Sequence, residues 1–322
     1  MRILHLEPNR YPQLAKEKLN AIGTVDYQNC HSQLHLLQLV SLHAYDAVFV
    51  KLGLHFDVDF MKACPSLRWI ITPTTGLNHI DLVEAQKRGI AVLSLKGETE
   101  LLDRIKSTAE HTWGLLLMLA RNLGGATEDI KDGHWRREPF LATELDGKTL
   151  GILGLGRLGR IVAGYANAFG MKVQAYDPDP QAIHRCSQPV VAVSENVLFA
   201  TSDILSLHIP STIENAKYLD ESRIAQMPEH ALLINTARGE VVDEAALLNA
   251  LKENRIKGAA IDVLDGDSAW AEMIPGRNAM IEYAREHNNL LITPHMGGYG
   301  KESIERTREF MVEKFLNGFE AS

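Results

Sequence analysis

Three apolar runs in the second half of the sequence each lead into side chains that can hold or move charge. "LLINTARGEVVD" carries Arg238 just past its run, "GAAIDVLDGD" crowds Asp262, Asp265 and Asp267 into its last residues, and "NLLITPHMGG" sets His295 between a proline and a glycine pair. An imidazole titrates near neutral pH and exchanges a proton with a bound hydroxyl. A guanidinium offers a planar fork that grips a carboxylate with two parallel bonds, as an ammonium cannot. An acid beside the imidazole fixes its tautomer and favours its charged form. Carboxylates beside an apolar strand are costly without partners, so the three aspartates signal a use for negative charge. Singly, each residue has an ordinary reading: a salt-bridging Arg, a structural His, a solvated Asp. Together they suit proton transfer at an oxygen next to a carboxylate, which is what a 2-hydroxy acid undergoes when it is oxidised.

The elements that must position these groups follow from the apolar pattern. Six runs, 148–154, 172–177, 203–209, 230–237, 257–263 and 289–295, alternate with segments long enough for helices and predict one doubly wound parallel sheet. Ligands sit at the carboxyl ends of such strands, where Arg238, the aspartates and His295 fall. Four earlier runs, 2–7, 46–50, 68–72 and 90–95, predict a second parallel α/β sheet. Between the two sets, "STAEHTWGLLLMLARN" reads as a buried helix opened by a capping box of Ser107 and Glu110. The tail from Lys301 reads as one more amphipathic helix.

"GILGLGRLGR" contains Gly154, Gly156 and Gly159 in G-x-G-x-x-G spacing. That spacing alone is a weak signal, but a strand precedes it. A helix with an apolar face of Leu158, Ile161, Val162, Tyr165 and Phe169 follows until Gly170. The next strand ends in Asp177. Gly154 permits the tight turn, Gly156 lets a pyrophosphate approach the backbone, and Gly159 lets helix and strand pack closely. Asp177 would accept hydrogen bonds from the adenosine ribose and repel a 2'-phosphate, which favours NAD over NADP.

Composition narrows the class further. With 322 residues, 45% hydrophobic and 23% charged, the chain suits two domains, and a net charge of −8 disfavours nucleic acid as a partner. The longest apolar run, "WGLLLMLA", is far short of the ~20 residues that span a bilayer, so a soluble protein without a membrane partner is expected. Cys30, Cys64 and Cys186 are not closely spaced and read as reduced thiols, which suits a cytoplasmic location. The cysteines and 13 histidines show no zinc-site spacing, so no metal is expected.

"LDGKTLGILGLGRLGR", "INTARGEVVDEAAL", "GAAIDV" and "ITPHMGG", in this order, resemble the signatures of the D-isomer-specific 2-hydroxyacid dehydrogenases, relatives of phosphoglycerate, glycerate and D-lactate dehydrogenases. The resemblance implies a Rossmann cofactor domain (105–296) inserted in a flavodoxin-like substrate domain (1–104), to which residues 297–322 return as a C-terminal helix. The active site would lie in the cleft between them, and the protein would be a homodimer. It implies that Arg238 anchors the carboxylate of a small 2-oxo or 2-hydroxy acid and that His295 is the acid/base. Asp262 would lie near the nicotinamide carboxamide. The histidine's partner in the family is normally a glutamate followed by proline; here the pair is Asp267 and Ser268. Asp267, one methylene shorter, is expected to pair with His295 all the same, and Asp265 to be solvated. Around the cofactor the resemblance adds Arg157, Leu158, His208, Pro210, Thr236 and Ala237 to Gly154, Gly156, Gly159 and Asp177, with His208 open to either a packing or an adenine-side role. Substrate-facing loops would supply Lys51, Leu52, Gly53 and Gly76. Lys51 is the one Lys or Arg in the stretches 50–55 and 72–81, which favours an unphosphorylated substrate. Trp135 falls where the family often has an interface tryptophan, though a core-rim place suits it equally. Two alternatives use the same scaffold: an NAD(H)-sensing protein or corepressor, and a phosphonate or formate oxidoreductase. An acid at 267 argues against the formate chemistry.

Overall fold

The computed structural model describes residues 1–267 and 276–320. They form two compact units, one of residues 1–105 with the chain from Gly300 onward, the other of residues 106–267 and 276–299.

The first unit is built on five parallel strands, β1 (Arg2–His5), β2 (Thr24–Tyr27), β3 (Ala47–Phe49), β4 (Trp69–Ile71) and β5 (Ala91–Leu93), in the order β2-β1-β3-β4-β5. Both faces of this sheet are covered, which is why its inner strands read as unbroken apolar runs. Leu4, Val48 and Ile70 enter one core; Ile3, Ala47, Phe49 and Ile71 enter the other. The helix Lys301–Glu320 covers the second face with Met311, Val312 and Phe315. The Phe315 ring stands edge-on to Phe49, with centroids 5.5 Å apart. The apolar pattern points to four of the five strands. It misses β2, whose sequence TVDY lies at the sheet edge and is nowhere fully buried, so it carries no apolar run.

The second unit holds seven parallel strands: β6 (Thr149–Leu153), β7 (Lys172–Tyr176), β8 (Val191–Ala192), β9 (Ile204–Leu207), β10 (Leu232–Asn235), β11 (Gly258–Ile261) and β12 (Leu290–Ile292). Their order, β12-β11-β10-β9-β6-β7-β8, is the expected doubly wound one and reverses direction between β6 and β9. The unexpected strand is β8, two exposed residues at the edge. Register does the positioning. Leu153 pairs with Tyr176 and Leu207, Asn235 with Leu207 and Ile261, and Ile261 with Ile292, so the strands end level and their loops leave one edge.

The helix Ser107–Ala120 is buried along most of its length, as expected, through Ala109, Thr112, Trp113, Leu115, Leu116 and Leu119. Its capping box does not form. The cap position is Lys106, and the Ser107 hydroxyl instead donates to the Gly297 carbonyl at 2.7 Å. The helix starts at Ser107 itself, which puts that hydroxyl in the first turn rather than at the cap position. Among the described residues no helix is long and apolar enough to cross a membrane, and the three cysteines are free thiols.

Candidate active site

The glycine turn leaves β6 at the switch point. Gly154 has φ +91°, a left-handed conformation that only glycine adopts without strain, and a Cβ there would sit 2.8 Å from the His208 carbonyl oxygen. Gly159 packs so closely on the main chain of Gly154 that a Cβ would collide with its carbonyl. Nothing lies within 4 Å of the place where a Cβ of Gly156 would be. Gly156 also has no side chain with which to cap the helix Arg157–Ala168, and the first turn of such a helix suits a phosphate. Asp177 follows β7, where its carboxylate accepts the Leu155 N–H at 2.8 Å and ties the acid to the turn. This cradle fits a dinucleotide.

His208 and Pro210 follow β9 on the other side of the switch point. His208 shares a 2.9 Å hydrogen bond between its Nε2 and the Ser206 hydroxyl, and its Nδ1 is buried without a partner. Burial pushes its pKa down to about 4, so the ring is neutral at physiological pH. Thr236 and Ala237 are buried, and the Thr236 hydroxyl lies 2.7 Å from that of Thr112, turned into the protein.

Arg238 owes its place to Asn235, a residue the sequence reading passed over. Asn235 is 1% exposed at the end of β10. Its side chain accepts the Ala237 N–H at 3.0 Å and donates to the Arg238 carbonyl at 2.9 Å, closing the turn from both sides. Arg238 Nη1 donates to the Ala237 carbonyl at 2.6 Å, which leaves other donors of the fork for a ligand. The next residue, Gly239, lies flush against the turn that carries the aspartates. A Cβ there would collide with the Leu264 carbonyl and the Asp265 nitrogen. The Arg238 turn and the acidic turn are therefore in main-chain contact.

The shortened acid reaches the imidazole. Asp267 Oδ2 stands 3.0 Å from His295 Nδ1 and also accepts the Leu264 N–H at 3.1 Å. Glu244, likewise missed, accepts the Asp265 N–H at 2.7 Å and braces the same turn. Burial, with Asp265, Asp267 and Asp243 nearby, pushes the Glu244 carboxyl above its usual range. The hydrogen bond to Asp267 raises the His295 pKa; burial opposes this, the charges of Asp267 and Asp262 add to it, and Arg238 subtracts. The acidic turn links the two: Gly239, next to Arg238, packs on Leu264 and Asp265, and Asp267 pairs with His295. With Nδ1 committed to Asp267, neutral His295 carries its proton there and presents Nε2 as the base. Ser268, which stands where the family has proline, lies outside the described residues.

Asp262 is bound into the turn that follows β12. It is 1% exposed, and its carboxylate accepts hydrogen bonds from Thr293 Oγ1 (2.6 Å), Met296 N (2.9 Å) and Gly297 N (2.7 Å), with His111 Nε2 at 3.1 Å. Burial opposes its ionisation, but these donors outweigh it and hold the carboxyl below its usual range. Two of these donors, the N–H groups of Met296 and Gly297, come from the turn after β12 and hold the carboxylate against it.

In the first unit, Lys51 Nζ donates to the Cys30 carbonyl at 2.8 Å, Leu52 is 58% exposed and Gly53 has φ +84°. The Gly76 carbonyl accepts from the Thr74 hydroxyl at 2.8 Å.

A parallel sheet with a dinucleotide cradle at its switch point, and Arg238, Asp267 and His295 in the loops of the same edge, defines an α/β nucleotide-binding protein. The chain belongs to the D-isomer specific 2-hydroxyacid dehydrogenase family: residues 113–297 match its NAD-binding domain, and NAD is the cofactor. It is 34% identical over 279 residues to the D-3-phosphoglycerate dehydrogenase of Rattus norvegicus, covering 87% of this chain and 50% of that one. It is also 34% identical over 271 residues to the hydroxypyruvate reductase of Thermotoga maritima, covering 84% of each. A solved structure of Aquifex aeolicus D-lactate dehydrogenase, complexed with NAD and lactic acid, superposes with a TM-score of 0.81 at 30% identity over 99% of this chain and 96% of that one. The chain spans about half the length of the phosphoglycerate dehydrogenases it matches.

Proposed function

We propose that this protein interconverts a small D-2-hydroxy acid and its 2-oxo acid. The observation that carries the reading is the 3.0 Å pair between His295 and Asp267, beside Arg238, at the edge that also holds the cofactor cradle. Bound NAD supplies the hydride carrier. Gly154, Gly156, Arg157, Leu158 and Gly159 would hold its phosphates, and Asp177 its adenosine ribose. Arg238 grips the substrate carboxylate with its fork, so that C2 and its oxygen are fixed in one orientation. His295 Nε2 takes the proton of the C2 hydroxyl during oxidation and returns it to the carbonyl oxygen during reduction. Asp267 holds the imidazole in the tautomer this needs and stabilises the imidazolium once formed. Reduction is the favoured direction, because solution equilibria lie toward the hydroxy acid.

Lys51, Leu52, Gly53 and Gly76 complete the substrate contacts in this reading, and one lysine is a weak grip for a phosphate. Leu123, Ile130, Trp135 and Leu141 expose 49%, 50%, 93% and 84% of their surface, an apolar set that a homodimer partner would cover. The test is NADH oxidation with glyoxylate, hydroxypyruvate, pyruvate, 2-oxobutyrate, longer 2-oxo acids and 3-phosphohydroxypyruvate. Turnover of an unphosphorylated member at higher kcat/KM than the phosphorylated one is expected. Inactivity across the panel with NADH still tightly bound would replace the enzyme by an NAD-sensing protein.

A further inference from the structure

The candidate base stands on a strained backbone. His295 has φ +49°, the left-handed region that a residue with a side chain keeps only where its surroundings enforce it. What enforces it here is a small polar core beneath the turn. The His295 N–H is shared between the carbonyls of Asp262 (2.8 Å) and Thr293 (2.9 Å), while the Asp262 carboxylate collects the next two N–H groups, of Met296 and Gly297. This core is closed from below by His111, on the helix Ser107–Ala120. Its Nε2 lies 3.1 Å from Asp262 Oδ1 and 2.9 Å from Thr293 Oγ1. The Thr293 hydroxyl has one proton and gives it to Asp262 at 2.6 Å. The proton between His111 and these two oxygens must therefore sit on Nε2, and the imidazole donates to both. The same helix holds the turn a second time, through the bond from Ser107 to the Gly297 carbonyl.

We propose that His111 is a positioning residue for the reaction: by donating to Asp262 and Thr293 it keeps the His295 turn left-handed and so keeps Nδ1 on Asp267. The inference rests on the acid/base reading of His295 but makes a separate structural claim. His111 touches neither substrate nor reacting atoms in this account; it acts through Asp262 and Thr293. Its side chain is 19% exposed and that of Asp262 2%, so water does not readily replace the missing donor. The charges that act on the His295 imidazole are those of Asp267, Asp262 and Arg238, and His111 is hydrogen-bonded to Asp262.

The experiment compares His111→Leu, which removes the donor, with His111→Gln, whose amide N–H reaches the same place. Thr293→Val and Thr293→Ser form a second pair. Two quantities are read in each folded variant: steady-state kcat and KM, and the His295 imidazole titration by NMR without cofactor or substrate. His111→Leu and Thr293→Val should lower kcat by ~10- to 10²-fold, the scale of a displaced catalytic group, with KM little changed. The His295 titration should move to lower pH as the Asp267 contact loosens. The Gln and Ser variants should recover most of both. An unmoved His295 titration in His111→Leu, or a kcat loss that glutamine does not recover, overturns the proposal. If His295→Asn keeps full turnover, the acid/base reading fails on its own, and the titration still decides whether His111 holds the turn.

Discussion

Replacing His295 with asparagine is expected to lower kcat by ~10²–10⁴-fold, the usual contribution of a positioned acid or base. Asparagine is the informative choice because it tolerates the left-handed backbone that His295 adopts at φ +49°. The turn, its N–H groups and their bonds to Asp262 should survive, and only the titrating nitrogen is lost. Affinity for NADH, measured by calorimetry, should stay within a few-fold of the parent, since the cradle at Gly154–Gly159 is untouched. The residual rate should also lose the pH dependence that His295 imposes. A variant that turns over normally would move the proton transfer to another group.

Arg238→Lys is the second large effect. Its turn is clamped by both ends of the Asn235 amide, so the substituted side chain leaves from the same point in the same direction. Charge is conserved and shape is not. A lysine offers a single ammonium that cannot bind both carboxylate oxygens in a plane. A fall in kcat/KM of roughly 10²-fold, about 3 kcal/mol, is expected, within the range for disrupting a hydrogen-bonded charge pair. Much of it should appear in KM, because the carboxylate is held before and during the reaction. Retained kcat/KM in this variant would place the carboxylate anchor elsewhere.

The chemistry of this edge was legible in the sequence to an uneven degree. Strands buried on both faces announce themselves as apolar runs, and the parallel register that brings their ends level follows from the fold class. Arg238, Asp267 and His295 could therefore be placed on one edge without coordinates. The sequence does not show which way a side chain turns once the strand has ended. Asp262 follows β11 by one residue, and its direction is set by N–H groups at 296 and 297. Ser107 reads as a helix cap, yet its hydroxyl is taken by a carbonyl 190 positions away. Asn235 had a signal that went unused: it is a polar residue in an otherwise apolar run, and burial there demands a partner. The edge strands β2 and β8 had none: TVDY is broken by an aspartate and β8 is two residues long.

The central claim is that Asp267, though shorter than the family's glutamate, governs the protonation of His295. Its most direct test is the pH profile of kcat/KM for the parent and Asp267→Asn, measured in both directions. A raised imidazole pKa keeps His295 charged to higher pH, which favours reduction until the pH passes that pKa and delays the onset of oxidation. The same sign applies to stability: the pair's contribution is full below the ordinary imidazole pKa and is lost as pH rises through the raised one. In Asp267→Asn both kinetic limbs should therefore move to lower pH and the maximal rate should fall. Identical profiles in the two proteins would contradict the account.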